Sequence, residues 1–211
     1  MEKFDNDVEL AVQMLINKHG ASIERELKKL MDKLSELYKQ RLVKINHSIM
    51  ELLCAAHLVL RGYSVDVERP LTDVLICDVY GVKGDGVVVV EVETGFTPPE
   101  HALDPLTYLQ ARIASKVARY SRFADKFCLA TPRHNILEIP IELLSPPRFR
   151  DDQGIRRLKN LCDKYYTSPP ITHEELQTCR LHSIFILNVD ECEVRELSPD
   201  QYFQKFIQPV W

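Results

Sequence analysis

The chain has 211 residues, 45% of them apolar and 27% charged, the profile of one domain with a core of its own, with or without an appendage. Twenty-seven Lys and Arg against 31 Asp and Glu give a formal charge of −4, which excludes a polybasic, histone-like protein and leaves polyanion binding to local patches. No run approaches the ~18–20 uncharged apolar residues of a bilayer span, and the N-terminus lacks a signal-peptide pattern, so an intracellular protein with no membrane contact is expected.

Residues 1–44 read as a helical arm, rich in Leu, Lys and Glu from residue 7 onward, without Pro, and divided into two helices by Gly20. Ile23, Leu27, Leu30, Leu34 and Leu37 repeat at alternating spacings of four and three, with Lys28, Lys29, Lys33 and Glu36 between them. Such a seam suits either an amphipathic helix lying on its own domain or a dimerising arm.

Residues 45–60 form the next predicted helix, with Ile45, Ile49, Leu52, Leu53, Ala56 and Leu60 on a broad apolar face, Glu51 as a lone acid in its middle and Gly62 as its stop. Three strands follow: 63–68 with alternating character, 74–82 centred on Asp78, and 87–93, a β-branched run that fits a central strand buried on both faces. Lys83, Gly84, Asp85 and Gly86 join the last two as a hairpin. Asp104 and Pro105 open a helix running to about residue 124, packed through Leu106, Leu109, Ile113, Val117 and Tyr120, and residues 126–131 make a further buried strand. The order over 45–131 is therefore α-β-β-β-α-β, an α/β core with a mixed central sheet flanked by helices.

Residues 132–211 are expected to be an α/β extension packed on that core. It holds a basic helix near 152–166, a short helix opened by the capping box of Thr172 and Glu175, strands at 183–189 and 192–197, and a last helix begun by Ser198, Pro199 and Gln201. Six cysteines without a C-x-x-C pair fit small buried apolar residues better than a zinc or redox motif.

Side chains alternate along a strand, so Glu91 and Glu93 share one face while Val90 and Val92 take the other. Asp78 lies among Val74, Leu75, Ile76, Cys77 and Val79, where an acid is costly unless paired, hydrogen-bonded or metal-bound. Folding the 45–60 helix onto the sheet would add Glu51. Four carboxylates within a few ångströms repel one another, and a bound cation keeps them ionised. The oxygen-only ligands Asp78, Glu91 and Glu51 argue for a hard ion, Mg2+ or Mn2+. Such an ion activates water for phosphodiester hydrolysis, with Glu93 orienting or deprotonating that water.

These residues resemble the PD-(D/E)XK nuclease superfamily, which includes restriction endonucleases, archaeal Holliday-junction resolvases and RecB-type nucleases. In that family a helix bearing a Glu precedes a β-hairpin whose first strand holds an Asp and whose second holds Glu-x-Lys, followed by a helix and a further strand. Over residues 45–131, Glu51, Asp78 and Glu91-Val92-Glu93 fall on those positions in that order. Glu93 departs from the pattern by standing where lysine is usual. Some restriction enzymes carry Glu there, and in other branches a lysine or arginine from the next helix substitutes; Lys116, and secondarily Arg112, one turn apart, are the candidates here. Val90-Glu91-Val92-Glu93-Thr94-Gly95 and residues 116–123 look like archaeal or archaeal-virus members.

The resemblance implies a restriction endonuclease-like fold and a Mg2+- or Mn2+-dependent endodeoxyribonuclease acting on duplex or branched DNA, resolvase-like, with Glu51, Asp78, Glu91, Glu93 and Lys116 carrying the reaction. A homodimer presenting one site to each of two strands is expected. The missing Glu-x-Lys lysine motivates the alternative of a nuclease-fold protein that binds nucleic acid without cutting it. Positive charge for the DNA backbone is offered by Arg112, by Arg119, Arg122 and Lys126, and by Arg148, Arg150, Arg156, Arg157 and Lys159, although solvated helix faces look the same. Phe149, Tyr165 and Tyr166 suit either bases and sugars or the core. His47, His57, His101, His134, His173 and His182 lack H-x-x-x-H spacing and are expected to hold no metal.

Overall fold

Gly20, at φ +92°, folds the first helix, α1 (Glu2–His19), back against α2 (Glu24–Lys39), and a short loop leads on to α3 (Ile45–Val59). The structure is a computed structural model and describes residues 2–207; positions 1 and 208–211, the outer ends of the predicted arm and extension, lie outside the described residues. Ile23, Leu27, Leu30 and Leu34 are buried in one core with Phe4, Val8, Val12 and Leu15 of α1 and with Leu52 and Leu53 of α3. The heptad-like seam thus packs within the chain, the first of its two readings, with α2 contacting α1, α3 and the first strand.

The strands β1 (Ser64–Pro70), β2 (Ile76–Lys83), β3 (Gly86–Val92), β4 (Lys126–Pro132), β5 (Ser183–Asn188) and β6 (Glu193–Leu197) form one six-stranded sheet in that order. β1, β2 and β3 are antiparallel neighbours, β3, β4 and β5 are parallel, and β6 returns antiparallel to β5. The fold is therefore α/β with a mixed sheet, and 183–197 complete that same sheet. β2 starts at Ile76 and not at residue 74 because the Leu71 and Thr72 amides donate to Leu75 O and close a turn there. Lys83 pairs with Gly86 across the expected hairpin, whose Gly84 sits at φ +59°.

The valine run has the role its uniformity predicts. Val88, Val90 and Val92 pack with α1, α2 and α3 on one face, and Val89 packs with Ile113, Ala114 and Val117 of α4 (Pro105–Tyr120) on the other. The α4 face is completed by α5 (Ile141–Leu144), α6 (Asp152–Cys162), α7 (His173–Thr178) and α8 (Pro199–Tyr202). α6 ends four residues before its predicted limit, where the Tyr165 and Tyr166 amides turn back to Cys162 O. The predicted capping box of Thr172 with Glu175 is present, a second one of Ser198 with Gln201 opens the last helix, and all six cysteines are buried free thiols. Among the described residues no helix is long and apolar enough to cross a membrane.

Candidate metal centre

Backbone pairing between β2 and β3 stops at Val79 and Val90. Beyond it the side chains take over: the Asp78 amide donates to Glu91 Oε1 at 3.1 Å, and the Val92 amide donates to Asp78 Oδ2 at 2.6 Å. Residues 77 and 79 belong on one face of a regular strand, yet Cys77 packs with the α4 cluster and Val79 with the α3 cluster. The chain twists at Asp78 and brings its carboxylate between the two faces. Across β1, the regular pairs Val67 with Val79 and Arg69 with Cys77 flank Glu68, which has left-handed backbone at φ +45°.

On the α3 side, His47 and Glu51 stand one helical turn apart and face the same way. His47 Nδ1 lies 2.7 Å from Glu51 Oε1, and Nε2 lies 3.7 Å from Asp78 Oδ2 and 3.4 Å from Val92 O. One donor atom each from His47, Glu51, Glu68 and Asp78 falls within 4.8 Å of the other three. Glu51 is 0% exposed, and its Oε2 has no hydrogen-bond partner. A buried, unpaired carboxylate oxygen beside other acids calls for a counter-charge, and this cluster can hold a metal ion.

On the α4 side, Lys116 Nζ lies 2.7 Å from Glu93 Oε1, 3.1 Å from Glu91 Oε2 and 3.7 Å from Asp78 Oδ2, and donates to Val92 O at 3.0 Å. Arg112 Nε donates to both Glu93 oxygens at 3.0 and 2.9 Å, and its Nη1 donates to Tyr108 Oη at 3.3 Å. Asp78 is the residue common to the α3 cluster and the α4 ion pairs.

The charges follow from these contacts. Burial disfavours a cation at His47, but the Glu51 hydrogen bond and the Asp78 charge outweigh it and push its pKa up to about 9. Burial raises Glu51, and burial together with the charges of Glu51 and Asp78 pushes Glu68 up to about 8. Glu91 is raised to about 8, by burial first and by Asp78 next, against the pull of Lys116. Burial also opposes the Glu93 anion, but Lys116 and Arg112 prevail and hold its carboxyl below the ordinary value. Lys116 overcomes its own burial through Asp78, Glu91 and Glu93 and stays firmly protonated.

The structure thus brings all five expected reaction residues, Glu51, Asp78, Glu91, Glu93 and Lys116, to one region but divides them. Of the expected ligands, Asp78 and Glu51 belong to the metal-capable cluster with His47 and Glu68, while the oxygens of Glu91 are engaged by the Asp78 amide and Lys116. His47, for which no ligand role is expected from the sequence, is one of the four residues of that cluster. Its signal was the H-x-x-x-E spacing to Glu51, whereas Glu68 had none beyond its place across from Asp78.

The basic residues divide as well. Arg112 is held by Glu93 and is not a free phosphate contact. Arg119 donates to Pro169 O at 2.8 Å, Arg122 pairs with Glu175 at 3.5 Å, Arg156 with Asp152 at 2.7 Å and Arg157 with Glu142 at 3.9 Å. Arg150 is buried against the carbonyls of Ser145, Leu176 and Gln177 and serves the core. Set against protein-family models, curated proteins and solved structures, the chain matches none.

Proposed function

We propose that the chain is a metal-dependent endodeoxyribonuclease of the PD-(D/E)XK type, using Mg2+ or Mn2+ to hydrolyse phosphodiester bonds in duplex or branched DNA. One observation carries this reading: Lys116, from the helix after the hairpin, lies 3.7 Å from the Asp78 carboxylate that also belongs to the metal-capable cluster. In the family it resembles, a lysine two residues after the Glu fills that place. Here Glu93 occupies the position and holds Lys116 at 2.7 Å.

A divalent ion, when bound, lowers the pKa of a coordinated water and neutralises charge on a phosphoryl oxygen. Asp78 and Glu51 are the carboxylates placed to hold it. Lys116, cationic and fixed by Val92 O, is placed to donate to a phosphate oxygen as negative charge develops there. Glu93 stays ionised and orients Lys116, and Arg112 orients Glu93 in turn. A duplex has two strands, and a homodimer would present one site to each, through a surface other than the buried 23–37 seam.

The rival reading, a nuclease-fold protein that binds nucleic acid without cutting it, is favoured by the full engagement of Lys116: its three N–H groups meet Val92 O, Glu91 and Glu93. The test is incubation with supercoiled, single-stranded and branched DNA in Mg2+ or Mn2+. The nuclease reading expects cleavage that Asp78→Ala abolishes and Lys116→Ala slows by about 100-fold or more with DNA affinity nearly unchanged. Cleavage persisting in Asp78→Ala overturns it, and DNA bound but intact with the wild type supports the rival.

A further inference from the structure

Arg150 is a buried cation without a counter-charge. It is 9% exposed, and its hydrogen-bond partners among the described residues are all neutral: Nε donates to Ser145 O at 3.1 Å, and Nη1 donates to Leu176 O at 2.7 Å, Gln177 O at 3.2 Å and Cys179 Sγ at 3.4 Å. These bonds fix the guanidinium, leave Nη2 without a partner and supply no negative charge. A charge withdrawn from water is costly unless an opposite charge compensates it.

The same arginine lines a cavity of about 470 Å³ between the 145–150 loop, residues 180–182 ahead of β5 and the start of α8. Arg148 and Arg180 line it too; both are exposed, and neither forms an ion pair among the described residues. Gln177 Nε2 donates to Pro147 O at 3.1 Å, so the α7 residues that hold Arg150 also hold the loop that carries Arg148. His182 adds a neutral donor: its Nδ1 accepts the Phe127 amide at 3.0 Å, which puts the ring proton on Nε2, and burial first and the Arg180 charge next hold its pKa below the ordinary value. Asp200 is the acid in the wall.

We propose that this cavity binds a phosphate monoester, held as its dianion by Arg148, Arg150 and Arg180, with His182 donating from Nε2. Charge selects the class. Three guanidiniums against one carboxylate leave an excess of two positive charges, which a monoester dianion matches and a DNA phosphodiester, with a single charge, does not. Guanidinium forks also fit the paired oxygens of a phosphate. Size selects the carrier: the cavity lies within the roughly 300–1,000 Å³ of small-molecule sites, more than a bare phosphate fills, and Leu144, Pro146, Pro147, Leu181 and Pro199 offer apolar walls to the rest of the molecule. A nucleoside monophosphate meets both requirements. The cavity shares no residue with the metal-capable cluster or with the Lys116 ion pairs, and β4 separates β5 from β3 in the sheet, so it is a second site.

Titration calorimetry of the full chain in chelator, where no divalent ion can hold a phosphate, tests this with deoxyadenosine monophosphate, inorganic phosphate, deoxyadenosine and an unphosphorylated duplex oligonucleotide as probes. The monophosphate should bind, inorganic phosphate should bind more weakly and deoxyadenosine should not bind. Arg148→Gln and Arg180→Gln should each weaken the monophosphate by about tenfold or more, while Lys116→Ala leaves its binding unchanged. Both arginines are exposed, so these variants decide even if Arg150→Gln fails to fold. Absence of monophosphate binding, deoxyadenosine bound as tightly as the monophosphate, or binding that survives Arg148→Gln and Arg180→Gln but is lost in Lys116→Ala overturns the inference. An oligonucleotide that binds through Arg180 while the monophosphate does not would make the cavity a DNA-backbone contact and overturn it as well. No cleavage is read, so the outcome is independent of the nuclease reading.

Discussion

The Asp78 amide donates to the Glu91 carboxylate at 3.1 Å, where a regular sheet would supply the next backbone contact. The two acids therefore replace part of the sheet's own hydrogen bonding, and this holds β2 and β3 in the twist that exposes Asp78 to both faces.

Glu91→Gln and Glu91→Leu should consequently differ. Glutamine retains an acceptor for the Asp78 amide, whereas leucine leaves that buried donor unpaired. Leucine should cost about 1–3 kcal/mol more than glutamine in urea unfolding. Equal losses would mean that the Asp78 amide has another acceptor.

The metal-free protein should lose stability on the alkaline side. Glu68 and Glu91 are raised to about 8 from 4.5, and His47 to about 9 from 6.5. A group raised by folding contributes its full stability below the unfolded value and loses it as pH rises through the folded one. The carboxylates act between 4.5 and about 8 and His47 between 6.5 and about 9, so all three contributions decline together. Melting temperature in chelator should fall from about pH 6 to about pH 9, and saturating Mn2+ should flatten the fall by replacing protons with a bound cation. Asp78→Asn should show no Mn2+ shift; a wild-type-sized shift in that variant removes Asp78 from the centre.

The arm leucines make the opposite point about oligomers. Leu30 and Leu34 are buried inside the chain, so Leu30→Glu with Leu34→Glu should unfold or aggregate the protein instead of releasing a folded monomer. The milder Leu30→Ala should cost about 2–5 kcal/mol. Circular dichroism with light scattering checks both, and a folded, soluble double variant would show the seam to be an exposed interface.

His57 provides an acid-side counterpart outside the His47, Glu51, Glu68 and Asp78 cluster. Burial first, then the Arg61 charge, lower its pKa to about 4, against the pull of Glu196. The unfolded chain takes up the proton near 6.5 and the folded one only near 4, so this residue's share of stability is present above 6.5 and is lost as pH falls towards 4. The share is on the order of 2 kcal/mol after allowance for screening by solvent. His57→Gln should reduce the slope of unfolding free energy against pH in that window, and an unchanged slope assigns the acid sensitivity to other groups.

Much of the fold was legible along the chain because its signals are local. Alternation placed Glu91 and Glu93 opposite Val90 and Val92, the four-three spacing drew α2, and Lys83 to Gly86 specified the hairpin. The family resemblance singled out Lys116 and Arg112, and their separation by one helical turn put them on one face; the structure shows both meeting Glu93. These properties depend on residues within a few positions of one another, where backbone geometry alone dictates direction.

The composition of the cluster was settled elsewhere. Glu68, Asp78 and the α3 residues come from three separate elements, and which of their atoms meet depends on a twist at Asp78 and a left-handed residue at Glu68 that no periodicity encodes. The same holds for Glu91, which alternation placed on one face with Glu93 and whose oxygens meet the Asp78 amide and Lys116. Sequence by itself determined most of the elements, their order and the apolar surroundings of Asp78. Only the folded chain decided which acids gather in the metal-capable cluster and which share a lysine, because electrostatic pairing at 3–4 Å is a property of positions in space and shifts with any one-residue change of face.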